Sequence, residues 1–219
     1  MDIFEALYTT RAMRRVKPDP VPHDVQAQIL DAAVRAPTGG NAQNWRFMLV
    51  DDPEIRNQLG PLYRECVDIL WNTVYKDNLD KVMANPESPA AKQMLIMQKS
   101  VNYAGANFEN YPLLMFAFDR GDTSGGSIYP AVWSAQLAAR AQGVGSSLTT
   151  ILGLKGDEVP NILGVPADKG WKMTCCVPMG YPTGRWGVAK RQPVQNVAYR
   201  NQWDNEIGFE VNEPLWSGE

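Results

Sequence analysis

Tyr111-Pro112-Leu113-Leu114-Met115-Phe116-Ala117-Phe118-Asp119 carries no polar side chain between Pro112 and Asp119. A strand with one wet face alternates apolar and polar residues, so this run reads as a central strand covered on both sides. A glycine-rich turn, Gly121 to Ser127, follows and is expected to be flexible. Ile128 to Gln142 is then the clearest helical pattern in the chain. Ala131, Ala135, Ala138, Ala139 and Ala141 interleave with Val132, Trp133 and Leu137, which puts small side chains on more than one face. Such a helix is packed closely on several sides, either at the centre of a monomer or between two subunits.

Outward from this strand and helix, the chain keeps alternating. Ser146 to Ile151 starts as strand, Gly156 to Leu163 reads as a short helix, and Trp171 to Met179 as a further strand. On the N-terminal side, Asp2 to Thr10 forms a short helix with Ile3, Phe4 and Leu7 on one side. Pro18, Pro20 and Pro22 force an extended passage. Val25, Ile29, Leu30, Ala33 and Val34 recur at helical spacing until Pro37 closes the segment, and Trp45 to Val50 looks like a strand. Pro53 opens a helix that carries Ile55, Leu59, Leu62, Cys66, Ile69 and Leu70 toward a buried side. Over about 71–107 the pattern loosens around Met83, Met94, Met97, Pro86 and Pro89, which predicts an adaptable helical lid. The tail over about 198–219, with Trp203, Phe209 and Trp216, is too aromatic to lie free and is expected to wrap a partner. The whole of 1–219 reads as one layered α/β or α+β domain.

Composition narrows the function. With 219 residues, 44% hydrophobic and 21% charged, the chain is an ordinary globular one, and its net charge of −3 argues against nucleic acid as a partner. No apolar run is long enough to span a membrane, and Met1 to Leu7 lacks the charged-then-apolar order of a signal peptide, so a cytoplasmic location is expected. Cys66, Cys175 and Cys176 give neither a disulfide framework nor zinc spacing. His23 is the single histidine, so a metal site or a nucleophile–histidine pair has little to draw on.

Two compact basic clusters remain, Arg11-Ala12-Met13-Arg14-Arg15 near the start and Lys190-Arg191 near the end. Guanidinium groups match phosphate oxygens with planar, forked donors, each charge-assisted bond being worth about 1.5–3 kcal/mol. Neither G-x-G-x-x-G nor G-x-x-x-x-G-K-[ST] occurs, so a bound phosphate would be held by these clusters rather than by a glycine loop. Between them lies a polar turn, Pro37-Thr38-Gly39-Gly40-Asn41-Ala42-Gln43-Asn44-Trp45, whose Asn41 and Gln43 also suit turn residues bonding their own backbone. Thr149 and Thr150 equally suit a strand. Trp45, Trp133 and Trp171 read as core.

The order Arg11-x-x-Arg14, Pro37-Thr38-Gly39-x-Asn41-x-Gln43-x-Trp45, Gly143-Val144-Gly145-Ser146-Ser147-Leu148-Thr149-Thr150, Gly180-Tyr181-Pro182 and Lys190-Arg191-x-Pro193 resembles the FMN-dependent nitroreductase family over nearly the whole chain. The resemblance implies an α+β homodimer, a three-layer α/β/α fold with a central mixed, mainly antiparallel sheet, FMN at the subunit interface, and NADH or NADPH as reductant of a small-molecule electron acceptor. Arg11, Ala12, Met13 and Arg14, with Lys190 and Arg191, are then expected at the FMN phosphate. Pro37, Thr38, Gly39, Asn41 and Gln43 are expected against the flavin from the other subunit. Thr149, Thr150 and Ile151 are expected along its ring, with Thr150 the candidate contact to N5.

This chain departs from the family in three places: Ala12 stands where serine is usual, Val16 where phenylalanine is frequent, and Asn44 where proline commonly precedes the tryptophan. The implied reaction is reduction of nitroaromatics, quinones or related electrophiles by ping-pong hydride transfer through flavin N5. Reductive dehalogenation, flavin degradation and a storage or sensor role with little turnover are the alternatives. A dehalogenating relative clamps a zwitterion with a Glu, Tyr and Lys set, an order that Glu65, Tyr75 and Lys76 do not reproduce.

Overall fold

In the computed structural model, which describes residues 1–212, 215 and 216, the expected central strand is β2, Leu113–Asp119, buried at every position. Its alternate side chains enter two different cores. Leu113, Met115 and Ala117 face a layer containing Ile29 and Ala33 of α2 (His23–Val34) and Ala131, Val132, Ala135 and Ala139 of α6 (Ile128–Ala141). Leu114, Phe116 and Phe118 face Leu59, Tyr63, Cys66 and Val67 of α3 (Pro53–Ile69) and Phe108. Helices therefore cover both faces, giving an α+β fold of three layers.

The strand order is β1 (Trp45–Val50), β2, β4 (Lys172–Gly180), β3 (Gly145–Ser146), and every neighbouring pair is antiparallel. The mixed character rests on one parallel bridge between Ala12 and Ser146. In the β2–β4 ladder Ala117 faces Cys175 and Phe118 faces Met173, which leaves Thr174 as the extra residue of a bulge. Its hydroxyl donates to Asp119 Oδ2 at 2.6 Å. The expected strand after Gly145 is short: beyond Ser146 only Thr149 pairs again, with Cys176.

Local signals explain three of the helix starts. Asp2 Oδ1 accepts from Phe4 N at the start of α1 (Ile3–Thr9), and Asp52 does the same for Glu54 N ahead of Pro53. α3 runs on through Pro61, then widens into one π-turn, Leu70–Val74, where Tyr75 N reaches Leu70 O at 2.9 Å. The loosened segment holds α4 (Lys76–Met83) and α5 (Pro89–Ala106), the latter opened by Ser88 Oγ accepting from Ala91 N. α7, Glu158–Ile162, supplies the short helix before β4.

Two expectations need correction. The Gly121 to Ser127 turn is organised rather than loose, because the Asp122 carboxylate accepts from both Ser127 N and Ile128 N at 2.9 Å and so caps α6. Trp133 is 41% exposed, not core, since it lies with Tyr129 on the side of α6 turned away from β2. Ile3, Phe4 and Leu7 of α1 are exposed as well. In the tail, Trp203 packs on Tyr199 with ring centroids 4.9 Å apart yet is 80% exposed; residues 213, 214 and 217–219 of the expected arm lie outside the described ones.

Candidate functional site

The passage after α1 runs along the open edge of the sheet. Met13 N donates to Ser146 O at 3.0 Å, Lys17 N to Tyr181 O at 2.8 Å, and Val16 bridges Pro182. Two glycines make the approach possible. Gly145 and Gly180 face each other in the β3–β4 register; a Cβ on the first would lie 2.9 Å from Met13 Cβ, and one on the second 2.9 Å from Val16 Cβ. Side chains then alternate along the strap: Met13 points into the core while Arg11 and Arg15 stay exposed and Arg14 is half-buried.

Arg11, Ala12, Met13, Arg14 and Arg15 line a cavity of about 240 Å³ together with Ser100, Thr183 and Gly184. Arg11 donates to Arg185 O at 3.1 Å and Arg14 to Ser100 Oγ at 3.3 Å. Among the described residues no carboxylate pairs with Arg11, Arg14 or Arg15. Three guanidiniums gathered without a counter-charge repel one another, and an anion in the cavity relieves that repulsion.

Arg14 also lines an adjoining cavity of about 230 Å³, whose wall includes Tyr63, Trp71, Tyr75, Met97 and the run Ser147 to Ile151. Thr149 is pinned there through backbone bonds in both directions with Cys176, and its hydroxyl meets Tyr63 OH at 3.2 Å. Thr150 is exposed and starts the 3-10 turn Ile151–Lys155, its carbonyl accepting from Gly153 N. Burial pushes the Tyr63 and Tyr111 phenols up, so both stay neutral hydroxyls over the working pH range.

The remaining expected residues lie elsewhere within the subunit. Thr38 and Gly39 border a separate cavity with Arg120, Asp122 and Ser127. Asn41 and Gln43 hold left-handed backbone, φ 54° and 50°, and bond within the turn: Gln43 N donates to Thr38 Oγ1, and its amide to Asn41 Oδ1. Pro37 is exposed beside them. Lys190 and Arg191 line a fourth cavity, of about 490 Å³, with Leu7 and Tyr8, not the one that holds Arg11 and Arg14. The return passage is nevertheless fixed beside α1 by Ala189 N donating to Tyr8 O.

Sequence reasoning missed Arg140, Tyr63 and Tyr111. Arg140 is buried, donates from Nε to Thr9 Oγ1 at 2.7 Å, pairs with Glu5 at 3.2 Å, and stacks over Trp186. It thereby ties α1, α6 and the return passage together. These partners lie 46 to 135 residues away in sequence, beyond any local signal. Among the described residues there is no group of acidic, histidine or cysteine side chains that could hold a metal, and no helix is long and apolar enough to cross a membrane.

The chain is similar to an NADH dehydrogenase of Thermus thermophilus, 27% identical over 217 residues, covering 90% of this chain and 95% of that one. Its fold matches that of an iodotyrosine deiodinase bound to FMN and 3-iodo-L-tyrosine, with a TM-score of 0.69 and 20% identity over 92% of this chain and 99% of that one. It also matches the FMN-dependent nitroreductase NfnB from Mycobacterium smegmatis in complex with NADPH, with a TM-score of 0.66 and 19% identity over 90% and 97% of the two chains. The model of the Nitroreductase family matches residues 7–181, from the middle of α1 to the end of β4, and so spans both the strap of arginines and the Thr149 cavity. With this match over most of its length, the chain belongs to the Nitroreductase family.

Proposed function

We propose that this protein is an FMN-dependent oxidoreductase that uses NADH or NADPH to reduce nitroaromatics, quinones or related electrophiles in a ping-pong cycle. The observation that carries this reading is the set of Arg11, Arg14 and Arg15 without carboxylate partners, opening through Arg14 onto the cavity of Thr149 and Thr150. A dianion at one end and a flat, hydrogen-bonding ring at the other fit that donor set. When bound, FMN supplies hydride acceptance and donation at N5.

The chain's own residues bind and orient. Arg11 and Arg14 would hold the phosphate, the Ala12 and Met13 backbone lines the strap with the Met13 amide committed to Ser146 O, and Ser100 steadies the Arg14 fork. Thr149, Thr150 and Ile151 would line the ring, and Thr150 would supply a donor at N5, where a fixed donor stabilises developing charge. Trp71, Tyr75 and Met97 form the wall that keeps water out and belong to the proposed lid over about 71–107.

The turn from Pro37 to Gln43 is outside both cavities of its own subunit, so its contact with the ring requires a second copy. The exposed Ile3, Phe4, Leu7, Tyr129 and Trp133 supply an apolar surface for that homodimer. Lys190 and Arg191 are proposed to complete the phosphate site in the assembled dimer. Glu65 is engaged by Lys155, which counts against the zwitterion-clamping alternative.

The test is anaerobic mixing of the FMN-loaded protein with NADH and with NADPH, then reoxidation with nitroaromatics, quinones and halogenated phenols. Fast bleaching followed by reoxidation with the first two classes is expected. Flavin that stays oxidised refutes the reading in favour of storage or sensing. Selective reoxidation by halogenated phenols shifts it to dehalogenation.

A further inference from the structure

Tyr63, Phe108 and Tyr111 form a buried aromatic column, each at most 4% exposed. Tyr63 stacks on Phe108 with centroids 4.0 Å apart and planes 11° from parallel, and Phe108 meets Tyr111 edge-on at 6.2 Å. One end of the column puts Tyr63 OH on Thr149 Oγ1. The other end puts Tyr111 OH on the main-chain carbonyl of Arg14, which it reaches as donor at 2.7 Å. The base is held to α3 by two arginines. Arg64 grips both oxygens of Glu109 at 2.8 Å, while Arg56 donates to the carbonyls of Glu109 and Tyr111 at 3.0 and 2.6 Å.

We propose that Tyr63 and Tyr111, coupled through Phe108, are positioning residues that set the spacing between the arginine strap and the Thr149 segment. This rests on the reading that the two cavities together hold FMN. The phosphate end and the ring end lie on different pieces of chain, the strap after α1 and the stretch after β3. The backbone of the sheet edge joins the two as well, through Met13 to Ser146 and through β4, whose Cys176 holds Thr149 and whose following Tyr181 holds Lys17; the column is the side-chain element that touches both. Stacked rings resist sliding, and neutral phenols at each tip fix an atom of each wall. The column thus acts as a gauge for a ligand with two binding ends.

The experiment uses full-length wild type, Tyr63→Phe and Tyr111→Phe, each prepared without flavin and titrated with FMN, and reads the dissociation constant and the visible circular dichroism of the bound flavin. Tyr111→Phe should weaken FMN about threefold to tenfold, the worth of one ordinary hydrogen bond, and leave the dichroism unchanged. Tyr63→Phe should alter the visible dichroism, because the ring's neighbour has lost its anchor. Thr149→Val removes the same bond from the other side and should reproduce that change. If Tyr111→Phe does not fold, Phe108→Leu keeps both hydroxyls, parts the rings, and must move both signals. Variants that melt lower yet match wild type in both signals overturn the proposal, since that is what a merely structural column would give. Wild type that binds no FMN refutes the functional reading instead, a result distinct from either.

Discussion

Gly180→Ala tests the idea that the strap is seated by the absence of side chains on the sheet edge. A Cβ there would lie 2.9 Å from Pro112 Cγ and from Val16 Cβ and Cγ2, about half an ångström inside ordinary carbon contact. Neither neighbour yields freely. Val16 lies between Lys17, whose amide is bonded to Tyr181 O, and Arg15, whose carbonyl accepts from Thr183 N at 3.0 Å; Pro112 directly precedes β2. Such overpacking costs about 1–3 kcal/mol. For a chain of this size that lowers the melting temperature by about 2–12 °C. Because the strap carries Arg11 and Arg14, FMN affinity should fall with it. Thermal melts with and without FMN are the assay, with Gly153→Ala as a control whose Cβ meets nothing within 4 Å. Gly180→Ala melting within a degree of wild type, with unaltered FMN affinity, would refute the reasoning.

Arg140→Leu should destabilise by about 2–4 kcal/mol in urea, since Glu5 and Thr9 lose a buried partner and Trp186 its cation; a loss below half a kilocalorie contradicts the clasp described above. Asp122→Asn should cost about 0.5 kcal/mol at neutral pH, because the amide oxygen can still cap α6 but the charge that favours a helix N-terminus is gone. The amides of Ile128 and Ser127 hold the Asp122 carboxyl below its usual range, so the unfolded chain takes up the proton first. This stability is present above the unfolded value near pH ~4 and disappears as pH falls through the folded one, where melting curves of the two proteins should converge. Arg11→Ala should weaken FMN by about tenfold to a hundredfold by removing one charge-assisted contact. Arg191→Ala tells whether the second cluster reaches the same phosphate: equal weakening supports convergence in the dimer, and unchanged affinity removes Lys190 and Arg191 from the site.

What the sequence revealed depended on how local each cause is. β2 was legible because both its faces are dry, and α6 because its alanines leave room on several sides. Pro53 after Asp52 announced α3 correctly. The segment over about 71–107 is helical as expected, but its loosened apolar pattern hides the boundary at Ser88-Pro89, where Ser88 caps a helix of 18 residues. Pro61 was no obstacle to α3, whose packing on Phe108 and Glu109 overrides one missing hydrogen bond. The arginine strap was visible because Arg11, Arg14 and Arg15 stand close in sequence. Its union with Thr149 was visible only through the family resemblance. The Tyr63 and Tyr111 anchors were invisible, since their partners lie 86 and 97 residues away. The reach of Lys190 and Arg191 toward Arg11 was overestimated for a single subunit, whose fold puts them around a different cavity.

The adjacent Cys175 and Cys176 on β4 belong to opposite layers, the first among α2 and α6 residues, the second with Cys66 among those of α3. Burial pushes the Cys175 thiol up to about 12 and those of Cys176 and Cys66 upward too, so none is a ready nucleophile in the folded chain. Neighbours in sequence thus keep separate time. An alkylating reagent reaches Cys175 only when the α2–α6 side lifts, and Cys176 only when the α3 side does. Mass spectrometry of one short peptide therefore times the breathing of each side of the sheet, with no label added.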